Sequence, residues 1–357
     1  MTQLFRFRFV TSTPLNIIRG SGTFAGIGTL AKFLQISGHT VSLVTPTLKF
    51  PVYTVERIVF NEMLRFRPQP AKAVTVGFDM DGYTIAGRGR FHIASIKGVI
   101  ADEMRFESGI THATIRLQAR CERLHLQRAN LITAPSHYSA GQIHKLYGIE
   151  QAPRVVPELI DLESWRSLLK SNPAQPAGGT FTVLTVCRFY PRKRLPILLA
   201  AADRLRNKIP GLEFRIVGDG PEARRLKSIC RNNHLDGIVT WLGNLSPADL
   251  AREYNRCHIF CLPSVQESFG IVFLEAMASG KPIVAARAAS VPEVVKHGIL
   301  VEPDNDEALA DGIGRLHADP ALHAAIATQA SEWVKQFNAP LVAAAFLREL
   351  TLTAGDD

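Results

Sequence analysis

No run of apolar residues approaches the ~18 needed to span a bilayer as a helix, so any membrane contact is expected to be peripheral. No basic stretch leading into an apolar core opens the chain, and a secretory leader is not expected. The five cysteines, Cys121, Cys187, Cys230, Cys257 and Cys261, are odd in number and include no CxxC pair. That removes the usual zinc and redox spacings and fits a reduced, cytoplasmic setting. The histidines lack metal-ligand spacing, so no metal site is expected. Basic residues are dispersed without aromatic interleaving or a reader motif, which argues against nucleic acid as a partner.

The remaining composition is that of a folded protein, 46% apolar and 20% charged. At 357 residues the chain exceeds the size at which one core usually stops growing, and two domains are expected. The formal charge of +9 is uneven. Residues 1–165 hold 19 Lys and Arg against 12 Asp and Glu, while 166–357 hold 22 against 20. A basic first half suits phosphate-bearing substrates or an anionic membrane surface, and is also compatible with plain solubility.

Both halves alternate strand-like and helix-like runs. In the first, 5–10 and 40–44 read as strands, with 20–28 as a Gly-rich loop and 30–35 as the helix after it. Further strands are expected over 73–78 and 90–96, and a basic, loosely amphipathic helix over 115–130. Four prolines and a Gly-Gly mark 157–179 as a linker with a short helix around 165–170. After it come strands over 181–187, 213–217, 238–242, 259–262 and 283–286, with helices over 196–206, 222–232, 247–254 and 271–279. The expected class is α/β, with two doubly wound Rossmann-like domains whose parallel sheets face a cleft. The expected division is 1–165, 166–340, and a last helix, 341–357.

Three segments carry candidate chemistry. Glu267 stands just ahead of a helix start near Gly270, where free backbone N–H groups favour anions. Glu275 lies in the apolar helix ~12 Å further along its path, at ~1.5 Å per residue, where an unpaired carboxylate is expensive. Such a pair can grip the hydroxyls at the two ends of a sugar nucleotide, although two glutamates at this spacing also occur on exposed helix faces. Arg188 and Lys193 follow directly on a strand, as cations suited to a diphosphate or simply as a solvated loop. Asp79 and Asp81 follow another strand, and can bind acceptor hydroxyls or shape the turn at Gly82.

Together, Val183–Arg188, Lys193, the run from Ile216 to Glu222, Trp241–Gly243, Leu262–Ser264 and the segment from Glu267 to Val284 resemble the retaining glycosyltransferases of family 4, which have the GT-B fold. The resemblance is strong over 180–295 and weak over 1–165. It implies a retaining, metal-independent hexosyl transfer from a nucleotide-diphosphate sugar to an acceptor of unspecified kind, whether glycan, lipid-linked or small molecule, with no cofactor. Position by position, Arg188 and Lys193 match cations that hold the donor diphosphate, and Glu267 and Glu275 match acids that contact the sugar and the ribose. Ser268, Phe269, Gly270 and Ile271 complete the donor contacts through their backbone, and Gly20, Ser21 and Gly22 form a phosphate cradle in the first domain. The last helix is expected to cross back onto that domain.

The chain departs from the family pattern where Lys97-Gly98 replaces His-Gly, so Lys97 either supplies charge at the reaction centre or lies on the surface. It departs again where Ala288-Ala289 replaces Gly-Gly, and where Glu158 follows Pro157 in place of Asn. A sugar-nucleotide epimerase or phosphorylase, or a non-catalytic partner of the same fold, would share most of these features. A dinucleotide dehydrogenase would not, because Ala25 occupies its third glycine position and no acid ends 40–44.

Overall fold

The computed structural model describes residues 4–13, 21–68 and 72–354. Two compact units divide the chain, the first reaching Leu159 and taking in the helix Ala339–Ala354, the second running from Ile160 to Asn338.

The first unit is built on six parallel strands: β1 (Arg6–Val10), β2 (Thr40–Val44), β3 (Ala73–Phe78), β4 (His92–Ser95), β5 (Leu131–Ala134) and β6 (Arg154–Val155), ordered β2-β1-β3-β4-β5-β6. Phe7, Phe9, Val76 and Phe78 point to one face and meet two helices there, Ser21–Ile36 and Ala339–Ala354. The last helix packs against the first through this shared core, with the Phe346 ring 6.1 Å from that of Phe7. The other face is covered by the helices Tyr53–Met63 and Gly109–Arg128.

The second unit has strands β7 (Phe181–Val186), β8 (Leu212–Val217), β9 (Val239–Gly243), β10 (Ile259–Leu262), β11 (Ile283–Ala286) and β12 (Ile299–Val301), all parallel and ordered β12-β11-β10-β7-β8-β9. The central strands are apolar at nearly every position because helices cover both faces. Chain direction across the sheet reverses between β7 and β10. In doubly wound sheets a ligand crevice lies beyond the strand C-termini at such a reversal.

Two expectations need correction. The segment from Ser21 to Gly28 is helical rather than a loop: Ile27, Leu30 and Leu34 lie on one face and are buried, and that burial outweighs the poor helix propensity of the glycines. The division falls at Leu159/Ile160 rather than 165/166 because the helix Leu162–Ser171 belongs wholly to the second unit. Ile160 N–H donates to the Phe337 carbonyl at 3.0 Å, and Trp165 Nε1–H donates to Ser279 Oγ at 3.0 Å.

Candidate active site

Four strand-to-helix loops of the second unit converge at the β7/β10 reversal. The loop after β7 is held from behind by the loop after β8. Phe189 N–H donates to the Asp219 carbonyl at 3.0 Å, and Glu222 N–H donates back to the Phe189 carbonyl at 3.1 Å. Phe189 is buried edge-on against Trp241, which fixes the backbone between half-buried Arg188 and Tyr190.

The fit depends on two glycines. A Cβ on Gly218, whose φ is +122°, would lie 1.9 Å from the Cys187 carbonyl oxygen, and one on Gly220 would lie 2.6 Å from Phe189 N. Gly218→Ala is therefore expected to cost at least about 1–3 kcal/mol from backbone strain alone, read as a lowered denaturation midpoint.

The chain then makes a short turn over Pro191–Lys193 and reaches the loop after β10. Val265 N–H donates to the Arg192 carbonyl at 2.9 Å, Arg192 Nε–H to Gln266 Oε1 at 2.8 Å, and Lys193 Nζ to Glu267 Oε1 at 2.5 Å. Lys193 and Glu267 are both buried, so the pair is a fixed element of the site and not a surface ion pair. The loop after β11 supports Glu267 from the other side, where Ser290 Oγ–H and N–H both donate to its carbonyl, at 2.9 and 3.3 Å. Lys193 and Glu267 also bear on the Cys187 thiol, which burial pushes up to about 12, so that sulfur is no nucleophile at neutral pH.

Beyond Glu267, Ser268 and Phe269 are buried and Gly270 caps the helix Ile271–Ala278 with φ +88°. A Cβ there would meet the Phe273 ring at 2.7 Å. The turn leaves the first N–H groups of the helix without intrahelical acceptors, as an anion site requires.

Glu275, on the same helix, accepts a hydrogen bond from the Tyr254 hydroxyl at 3.0 Å. Burial pushes its carboxyl up to about 7, and the Tyr254 bond opposes the shift. With its folded-state pKa above the unfolded value, Glu275 contributes stability that is complete below about pH 4.3 and lost as pH rises through about 7. Glu275→Gln is expected to flatten the stability curve between about pH 5 and 8, measured by chemical denaturation across that range.

The first-unit residues are placed differently. Gly20 lies outside the described residues, and Ser21 and Gly22 open the helix Ser21–Ile36, so the expected cradle is a helix start and not a loop. Lys97 is neither free charge nor surface: its Nζ is 2.9 Å from Glu158 Oε1, and both side chains are buried. Two departures from the family pattern thus meet as an ion pair.

Asp81 does not face outward, whereas Asp79 is part-exposed. Asp79 Oδ1 accepts from Lys97 N–H at 2.7 Å and Gly98 N–H at 3.2 Å, and burial pushes the carboxyl up to about 6 against the pull of Arg57. Asp81 is fully buried and accepts from Ser12 N–H and Oγ–H, Asn61 Nδ2–H and Arg57. Its acceptor-binding reading is corrected, because its oxygens are engaged within the unit. Sequence reasoning missed Tyr254 and Ser290, which bond Glu275 and Glu267, and Gln266, which accepts from Arg192; a buried tyrosine and two polar loop residues carry no spacing signal.

Residues 170–333 match the family model "Glycosyl transferases group 1". A GDP-mannose-dependent alpha-(1-6)-phosphatidylinositol monomannoside mannosyltransferase of Mycobacterium tuberculosis is 26% identical over 223 residues, which cover 57% of this chain and 57% of that protein. The chain thus matches little more than half the length of that relative. The sucrose-phosphate synthase from Thermosynechococcus elongatus superposes with a TM-score of 0.81 at 19% identity, covering 99% of this chain and 100% of that one. HepE from Anabaena, solved in complex with UDP and glucose, gives 0.72 at 18% identity, covering 98% and 100%. The fold is thus GT-B, and its residues 170–333 are similar to the glycosyl transferases group 1.

Proposed function

We propose that the protein is a retaining, metal-independent glycosyltransferase that uses a nucleotide-diphosphate sugar. The observation that carries this reading is the buried Lys193–Glu267 pair across the β7/β10 reversal, with the Gly270 helix start beside it. Arg188 and Lys193 stabilise the charge that grows on the diphosphate as the sugar C1–oxygen bond breaks and its electron pair leaves with the phosphate. Glu267 orients the sugar and Glu275 accepts from the ribose. The acceptor oxygen attacks the face being vacated, and its proton passes to the departing phosphate oxygen, so no side-chain base is needed.

The names of similar proteins include a GDP-mannose enzyme and a UDP complex, and both bases are live choices for this chain. The test is a thermal-shift panel of UDP-, GDP-, ADP- and dTDP-sugars. A donor at 100 times its dissociation constant stabilises by about 2.7 kcal/mol, and no shift with any of the four would contradict the proposal. Retention of the donor's anomeric configuration in the product, and turnover unchanged by EDTA, test the two finer parts.

A further inference from the structure

Two helices of the first unit lie side by side over one face of its sheet. Gln118 links them, accepting from Arg57 Nη1–H at 2.9 Å and donating to Thr54 Oγ1 at 2.7 Å. Their outward faces are unusually apolar. On Tyr53–Met63 and the turn after it, Val55 and Met63 are exposed and Phe66 is 87% exposed. On Gly109–Arg128, Ile110 is 84% exposed, with Leu117 and Leu124 at 43% and 38%. These last three recur every seven residues, which keeps them on one stripe of the helix.

Around that stripe Arg116, Arg120 and Arg123 are exposed and form no ion pair among the described residues. The only acid on this helix, Glu122, is buried and points inward. The surface therefore combines projecting apolar side chains with positive charge lacking any counter-charge on its own helix.

We propose that this two-helix face docks on an anionic lipid bilayer, with Phe66, Ile110 and Leu117 entering the headgroup layer and Arg116, Arg120 and Arg123 meeting the lipid phosphates. Charge chooses this occupant over a second copy of the chain, since a two-fold pairing of the face would set arginines against arginines. Among the described residues no helix is long and apolar enough to cross a membrane. Shallow apolar burial joined to attraction for anionic headgroups is how interfacial helices bind.

The experiment is co-sedimentation of the full chain with phosphatidylcholine vesicles and with vesicles holding about 30 mol% phosphatidylglycerol. Binding is expected only to the anionic vesicles, with release by high salt. Arg116→Ser combined with Arg120→Ser and Arg123→Ser should weaken it on the order of 100-fold, the factor for about 3 kcal/mol. Phe66→Ser with Ile110→Ser should weaken it further while leaving the salt dependence in place. Equal partitioning of the triple variant and wild type, or equal binding to phosphatidylcholine alone, would overturn the proposal. So would light scattering that shows a dimer dissolved by the same substitutions. All five side chains are exposed, so melting and donor-induced shifts should match wild type, which keeps this outcome separate from the fate of the glycosyltransferase reading.

Discussion

Lys193→Ala is expected to reduce kcat/KM for nucleotide-sugar turnover by about 10²–10³-fold, the usual effect of removing one preorganised charge from a developing anion. The fall should appear mainly in kcat, because the interaction grows as negative charge moves onto the leaving diphosphate. The substitution also strips the counter-charge from buried Glu267, and breaking such a pair costs about 3–5 kcal/mol of stability. Lys193→Ala combined with Glu267→Gln, compared with Glu267→Gln alone, separates these effects. The double variant should regain much of the lost stability and little of the lost rate. A turnover loss that recovered in step with the melting temperature would reduce Lys193 to a structural brace.

The second large effect is on the first unit. Asp81→Ala should destabilise it by about 3–5 kcal/mol, because Arg57 is left buried without its principal counter-charge. For a unit of this size that is a drop of roughly 10 °C in its melting midpoint, followed by differential scanning calorimetry. Asp81→Asn keeps acceptors for Ser12 and should cost less. If Asp81 instead bound the acceptor substrate, Asp81→Asn would raise the acceptor KM and leave melting unchanged.

The contrast between these two residues shows what is legible in a sequence. The second unit's site lies in short loops after recognisable strands, and each loop carries its own local signal. Arg188 and Lys193 lie in the segment between β7 and the next helix, and Glu267 precedes a glycine that opens an apolar helix. Asp81 also follows a strand, but its meaning is set by Ser12, Arg57 and Asn61, which arrive from other parts of the unit. Local pattern cannot distinguish a carboxylate that faces solvent from one enclosed by distant partners.

The same limit hid the Lys97–Glu158 pair. Each residue reads as an isolated departure, and only the register of β3, β4, β5 and β6 brings them together. Short strands escaped for a different reason. β6 has two residues and β12 three, too few for any periodicity to stand out. In the first helix, glycines suggested a loop where the buried stripe of Ile27, Leu30 and Leu34 dictates a helix.

The central claim is that Arg188 and Lys193, with the helix start at Gly270, form a pyrophosphate site. Isothermal titration of UDP and of GDP into the wild-type chain and into an Arg188→Ala/Lys193→Ala variant tests it most directly. Each charge-assisted hydrogen bond contributes about 1.5–3 kcal/mol, so the preferred diphosphate should bind the variant at least about 100-fold more weakly, with the difference vanishing for the corresponding nucleoside. Equal diphosphate affinity in the two proteins would contradict the account.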